Sequence, residues 1–139
     1  MILVYLESPY AGDIPNNIAY ARAAMADCIA RGEAPFASHL LYTQEGILRE
    51  DIPGERALGI ACGFAWAANA SRTVVYVDRG ISRGMIAGIE AARSSGRAVQ
   101  FREFGCDLEA ILDPARRPQA ATLLHTFVRV RFRELAGLV

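Results

Sequence analysis

Residues 73–101 read TVVYVDRGISRGMIAGIEAARSSGRAVQF, and this stretch decides the fold. Thr73 to Val77 is a run of β-branched and aromatic residues with no polar alternation, the pattern of a strand covered on both faces. It ends at Asp78 in the turn DRGIS. Ser82 is placed to cap a helix that runs to about Ser95, where Gly96 stops it before a second apolar strand, Ala98 to Phe101. A strand, a helix and a strand in such close succession form a βαβ unit, whose strands are parallel.

The same grammar extends toward the N-terminus. ILVYL at 2–6 is a second fully apolar run, followed by the loop ESPYAG. Asp13-Ile14-Pro15 opens a helix with Asp13 as N-cap, in which Ile18, Ala21, Met25 and Ile29 recur at helical spacing until Gly32 closes it. APFAS at 34–38 is a short strand, and HLLYTQEGILRE after it is a long connection of the kind that borders sites. Asp51-Ile52-Pro53 repeats the earlier tripeptide and opens an apolar helix from about 54 to 69. Strands alternating with helices predict an α/β fold: a doubly wound, Rossmann-like parallel sheet of four to five strands with helices on both faces.

This domain is expected to span residues 1–106, with a C-terminal helical extension over 107–139. FVRVRFR at 127–133 alternates like a strand, but Leu124, Val128, Phe132, Leu135 and Val139 form a helical stripe and Pro118 suits a first turn. So broad an apolar face predicts docking on the domain or on a second subunit, hence a homo-oligomer, most simply a two-fold dimer.

Composition narrows the function. The 139 residues are 53% apolar, with 15 basic and 15 acidic side chains and a formal net charge of +0. No bulk field draws the chain to nucleic acid or an anionic membrane. All the basic residues are arginines, so a Schiff-base lysine, a Walker-type lysine and a lysine general base are excluded. Ala57 to Ser71, the longest uncharged run, is shorter than the ~20 residues that cross a bilayer and reads as a buried helix. MILVYLE lacks a basic leader, and Cys28, Cys62 and Cys106 are unpaired in spacing, so a reduced, cytoplasmic setting is expected. With only His39 and His125, no metal site is expected, and no cofactor is called for.

In an open parallel sheet, ligands bind beyond the carboxyl ends of the strands. Three loops meet there: 7–12, the segment from Ser38, and 78–84. The last leads into a helix N-terminus where free N–H groups, Ser82 and Arg83 can hold a phosphate or carboxylate; an ordinary Ser cap is the plainer alternative. Glu7, ending an apolar strand ahead of Ser8-Pro9-Tyr10, is expected at the rim of the crevice, or else paired with an arginine or capping a helix. Tyr5 is either core or site. His39 lies within reach of the same crevice, as a hydrogen-bonded structural residue or a ligand contact. Tyr42 and Trp66 read as packing.

VYLESPYAG at 4–12 and VVYVDRGISRGMIAGIEAA at 74–92 resemble the nucleoside 2-deoxyribosyltransferase superfamily, and within it short phage-type proteins; the resemblance covers about residues 1–103. Its best-matched piece is the G-M-x-x-G-x-x-x-A pattern from Gly84 to Ala92, preceded by Asp78 to Ser82. The resemblance implies an N-glycosidase or deoxyribosyltransferase acting on a nucleoside monophosphate or related ribosyl compound, through a glutamate nucleophile suited to an oxocarbenium-like transition state. That glutamate aligns with Ile86, which cannot act. Tyr5 matches a tyrosine near the nucleophile, and Ser82 lies where the monophosphate-hydrolysing branch holds phosphate. Glu7 is then the expected replacement acid, with Glu90, one turn beyond Ile86, as the other choice. Ser8, Tyr10, His39, Asp78, Ser82, Arg83, Gly84 and Met85 complete the expected substrate contacts. The alternative is a nucleotide-binding module without catalysis; a third is a structural subunit recruiting a partner through its tail.

Overall fold

The computed structural model describes residues 1–104; the expected C-terminal extension lies outside the described residues. The elements run β1 (Ile2–Glu7), α1 (Ile14–Ala30), β2 (Glu33–Phe36), α2 (Ser38–Leu41), α3 (Pro53–Ala67), β3 (Arg72–Tyr76), α4 (Arg83–Ser94) and β4 (Ala98–Arg102). The four strands form one parallel sheet in the order β2-β1-β3-β4. Strand order reverses between β1 and β3, where Val4 pairs Arg72 and Glu7 pairs Val75, and the crevice of a doubly wound sheet opens at such a point.

Alternation along the strands sorts side chains between two layers. Val4, Leu6, Val74 and Tyr76 pack against Tyr20, Ala24 and Cys28 of α1. Val75 faces the other way, against Met85 and Ile89 of α4. Helices therefore cover both faces, as expected of the doubly wound class.

Several local expectations need correction. The buried face of α1 is Asn17, Tyr20, Ala21, Ala24 and Cys28; Ile18, Met25 and Ile29 are only partly buried. Asn17 and Tyr20 go inward because their polar ends are satisfied there: Asn17 Nδ2 donates to the Tyr10 and Ala11 carbonyls at 2.9 and 3.0 Å, and the Tyr20 hydroxyl donates to Asp78 at 2.6 Å. Asp13 occupies the N-cap position without capping the backbone; its carboxylate accepts from Asn16 Nδ2 instead. The connection after β2 begins with the short helix α2. Helix α3 is not buried: only Gly63 and Ala67 are, while Leu58 is 55% and Trp66 56% exposed. Trp66 does pack, tilted on Phe36 with ring centroids 5.4 Å apart, and its Nε1 donates to the Tyr42 hydroxyl at 2.9 Å.

One buried ion pair spans the sheet beneath α1. Arg102 of β4 grips Glu33 of β2 in two parallel bonds of 2.7 Å, with both side chains 6% exposed. Such a bidentate pair is geometrically demanding, and breaking it would strand a buried charge.

Candidate functional site

A cavity of about 1360 Å³ opens at the carboxyl ends of the strands. Its floor is the end of β1 and the following loop (Tyr5, Glu7, Ser8, Tyr10), one wall is α2 and the 43–51 segment, another is the inner face of α3, and the far end is the start of α4 (Ser82 to Met85). The sheet brings β1 and β3 side by side, so two segments distant in sequence meet at one crevice.

Of the residues expected at the site, Tyr5, Glu7, Ser8, Tyr10, His39, Ser82, Arg83, Gly84 and Met85 all line this cavity. Two do not. Asp78 is turned to the α1 face, where one oxygen accepts from the Tyr20 hydroxyl and the other from the Phe104 amide at 2.9 Å, so it is an anchor between layers. Glu90 is exposed on α4 and lies outside the cavity lining, and Ile86, 46% exposed, shares that outward placement.

Glu7 is 8% exposed, and among the described residues it has neither an ion pair nor a hydrogen-bond partner for its carboxyl group. It is not paired with an arginine, nor does it cap a helix. Burial pushes its pKa up to about 8, against the weaker opposing pull of Arg97. Its carboxyl group rests against α4 at Gly88, in space that a Cβ there would occupy. Tyr5 stands beside it, its hydroxyl 2.7 Å from Ser38 Oγ and its pKa pushed up to about 12, chiefly by burial and then by the neighbouring Glu7. Gly63 makes room for that pair, since a Cβ there would come within 2.6 Å of the Tyr5 oxygen.

Ser8 Oγ and His39 Nε2 lie 2.8 Å apart, joining the loop after β1 to α2. Desolvation of the imidazole pulls its pKa down to about 4, so the ring is neutral across the physiological range. The Tyr10 ring meets it edge-on, with centroids 6.2 Å apart.

At the α4 end, Ser82 Oγ accepts from the Met85 amide at 3.3 Å, and its hydroxyl proton is left to donate. Sequence reasoning missed Arg56, whose Nη2 lies 3.5 Å from the point a Cβ on Gly84 would take, while its Nε donates to Glu50 at 2.6 Å. No local pattern marks Arg56, because it reaches α4 from α3. At neutral pH the cavity thus combines an uncharged acid and a neutral imidazole on its floor with two guanidinium groups near a helix N-terminus. Among the described residues, no cluster of three His, Cys, Asp or Glu is arranged to hold a metal.

Comparison with known proteins agrees with this architecture. A solved structure described as a 2-deoxyribosyltransferase from the psychrotolerant bacterium Bacillus psychrosaccharolyticus superposes with a TM-score of 0.53 over 87% of this chain and 95% of its own, at 16% identity. At that identity the likeness is one of fold. No curated protein matches the sequence. No helix among the described residues is long and apolar enough to cross a membrane. Residues 2–102 match the family described as a domain of unknown function, DUF7768, and the chain belongs to that family.

Proposed function

We propose that the cavity binds a nucleoside monophosphate or a related ribosyl compound and acts at its glycosidic bond, with Glu7 as the acid. The observation that carries this reading is the placement of an unpaired, buried carboxyl group on the cavity floor, with the anion-receptive start of α4 lining the same cavity. The deoxyribosyltransferase fold of the structural neighbour agrees with it.

A carboxyl group with a pKa of about 8 carries its proton at pH 7. It can pass that proton to the departing base nitrogen as the carbon–nitrogen bond breaks, becoming a carboxylate beside the oxocarbenium-like sugar. Water, or another acceptor hydroxyl, then adds to the anomeric carbon and returns a proton to Glu7. The residue is thus uncharged when the substrate binds and anionic when positive charge develops, which favours the transition state over the ground state. Tyr5 neighbours that carboxyl group, the Ser8–His39 pair lines the same floor, and Ser82, Arg83 and Arg56 hold the phosphate.

The test is incubation with a panel of nucleosides and nucleotides, with free base detected by chromatography. Base should be released, and Glu7→Gln should lower turnover by ~100-fold or more with binding largely retained. If wild type releases no base from any of them, the protein is a nucleotide-binding module, a reading favoured by isoleucine at position 86, where the resembled superfamily has its glutamate.

A further inference from the structure

Arg56 reaches the start of α4 while held from behind. Its Nε donates to Glu50 Oε1 at 2.6 Å, and its Nη2 lies 3.5 Å from the point a Cβ on Gly84 would take, with Ser82 Oγ 3.9 Å from the same point. A guanidinium carries its donors in one rigid plane, so a carboxylate on Nε leaves the far Nη edge for another acceptor. Among the described residues, no acceptor takes a hydrogen bond from either Nη. Glu50 is itself well placed to hold on. It belongs to the 43–51 wall of the cavity, which is pinned to α3: the Arg49 amide donates to Glu55 Oε2 at 2.6 Å, and Leu48 Cδ1 rests 3.4 Å from the Cβ position of Gly59.

The guanidinium and the buried acid share one face of α4. Arg56 stands at Gly84 and the Glu7 carboxyl group at Gly88, four residues on, a rise of about 6 Å. That spacing is of the order spanned by the bonds from a sugar phosphate to its anomeric carbon. The start of α4 is therefore not the sole anion-facing feature, since an unpaired carboxyl group only 8% exposed lies one turn along the same groove.

On the reading of the cavity as a monophosphate site, we propose that Glu50 is a positioning residue: it holds Arg56 by Nε so that the Nη edge meets the phosphate beside Ser82. An arginine already fixed in its binding attitude loses less rotamer freedom when the ligand arrives. Glu50 takes only Nε while Nη2 already faces α4, so the two contacts do not compete for one donor. The pair contributes little to stability, because its side chains are 42% and 28% exposed.

Calorimetry with nucleoside 5′-monophosphates of the common bases and the matching nucleosides tests this without requiring turnover. Glu50→Ala should weaken monophosphate binding by about tenfold, leaving nucleoside affinity and the melting temperature in place. Glu50→Gln keeps an acceptor oxygen for Nε and should bring most of that loss back. Arg56→Lys keeps the charge but cannot serve two acceptors from one rigid fork, so it should lose the monophosphate preference nearly as far as Arg56→Gln. Monophosphate affinity unchanged or raised in Glu50→Ala, equal losses in Glu50→Ala and Glu50→Gln, nucleoside affinity falling in step, or a wild-type preference in Arg56→Lys each overturns the proposal while the monophosphate site stands. A wild type that binds both ligands equally overturns that site, and this role of Glu50 with it.

Discussion

The carboxyl group of Glu7 occupies the space that a side chain at Gly88 would fill. Strand β1 and helix α4 are thereby fitted to one another through an acid on one and an absent Cβ on the other. Alanine in mid-helix is ordinarily more favourable than glycine by up to ~1 kcal/mol. At this site the sign should invert.

Gly88→Ala is expected to destabilise by roughly 1–3 kcal/mol through overpacking, and to shift Glu7 in the cavity. In a Glu7→Ala background the same substitution should be neutral or stabilising. Thermal unfolding of the four proteins of this cycle measures the coupling, and additive effects would show that the two residues do not compete for space.

Stability should carry the imprint of Glu7's raised pKa. The folded protein holds this proton up to about pH 8, whereas the unfolded chain releases it near 4.5. Folding is therefore unpenalised below pH 4.5, progressively penalised as pH rises, and fully penalised above 8. The melting temperature of Glu7→Gln relative to wild type should climb between pH 5 and 8 and then level off.

His39 acts in the opposite sense. Its folded pKa of about 4 lies below the ordinary 6.5, so the unfolded chain takes up a proton that the folded protein refuses. Wild type should lose stability as pH falls from 6.5 to 4, and His39→Gln should lose less. Parallel melting curves for the two proteins across this window would show the imidazole to be indifferent.

If Glu7 donates its proton to the leaving base, turnover should fall as pH rises through about 8, in proportion to the deprotonated fraction. Were Glu7 instead to attack as a carboxylate, turnover would rise through the same range. A pH–rate profile of kcat/KM, which reports the ionisations of the free protein, separates the two directly.

The anion end of the cavity predicts a ligand preference. A monophosphate should bind roughly ten- to a hundredfold more tightly than the matching nucleoside, through charge-assisted bonds at Ser82, Arg83 and Arg56. Arg56→Gln with Arg83→Gln should remove that preference and leave nucleoside binding in place. Equal affinities in calorimetry for wild type would dismiss the phosphate subsite.

Strands β1 and β3 were legible because Val4 to Leu6 and Val74 to Tyr76 are apolar without alternation, the pattern of burial on both faces, and the helices between the strands because Ser82, Gly32 and Gly96 mark their ends. Residues whose fate depends on distant partners were less so. Asp78 follows a strand and reads as crevice-facing, but Tyr20, remote in sequence, claims it. Tyr20 and Asn17 rank low in hydropathy and are nevertheless the buried face of α1, since burial follows hydrogen-bond satisfaction as well as apolarity. Glu90 was a candidate by its place on α4, yet it lies among the exposed residues of that helix. Arg56 had no sequence signal, since it reaches the start of α4 only through tertiary packing.

The Glu33–Arg102 pair joins the two outermost strands, β2 and β4, beneath α1. Edge strands of an open sheet ordinarily fray first and independently, each opening at its own small free energy. Here neither edge can peel away without leaving a buried charge behind on the other. The four strands are thereby made into a single cooperative unit, in which slow amide exchange should reach the margins of the sheet as well as its centre.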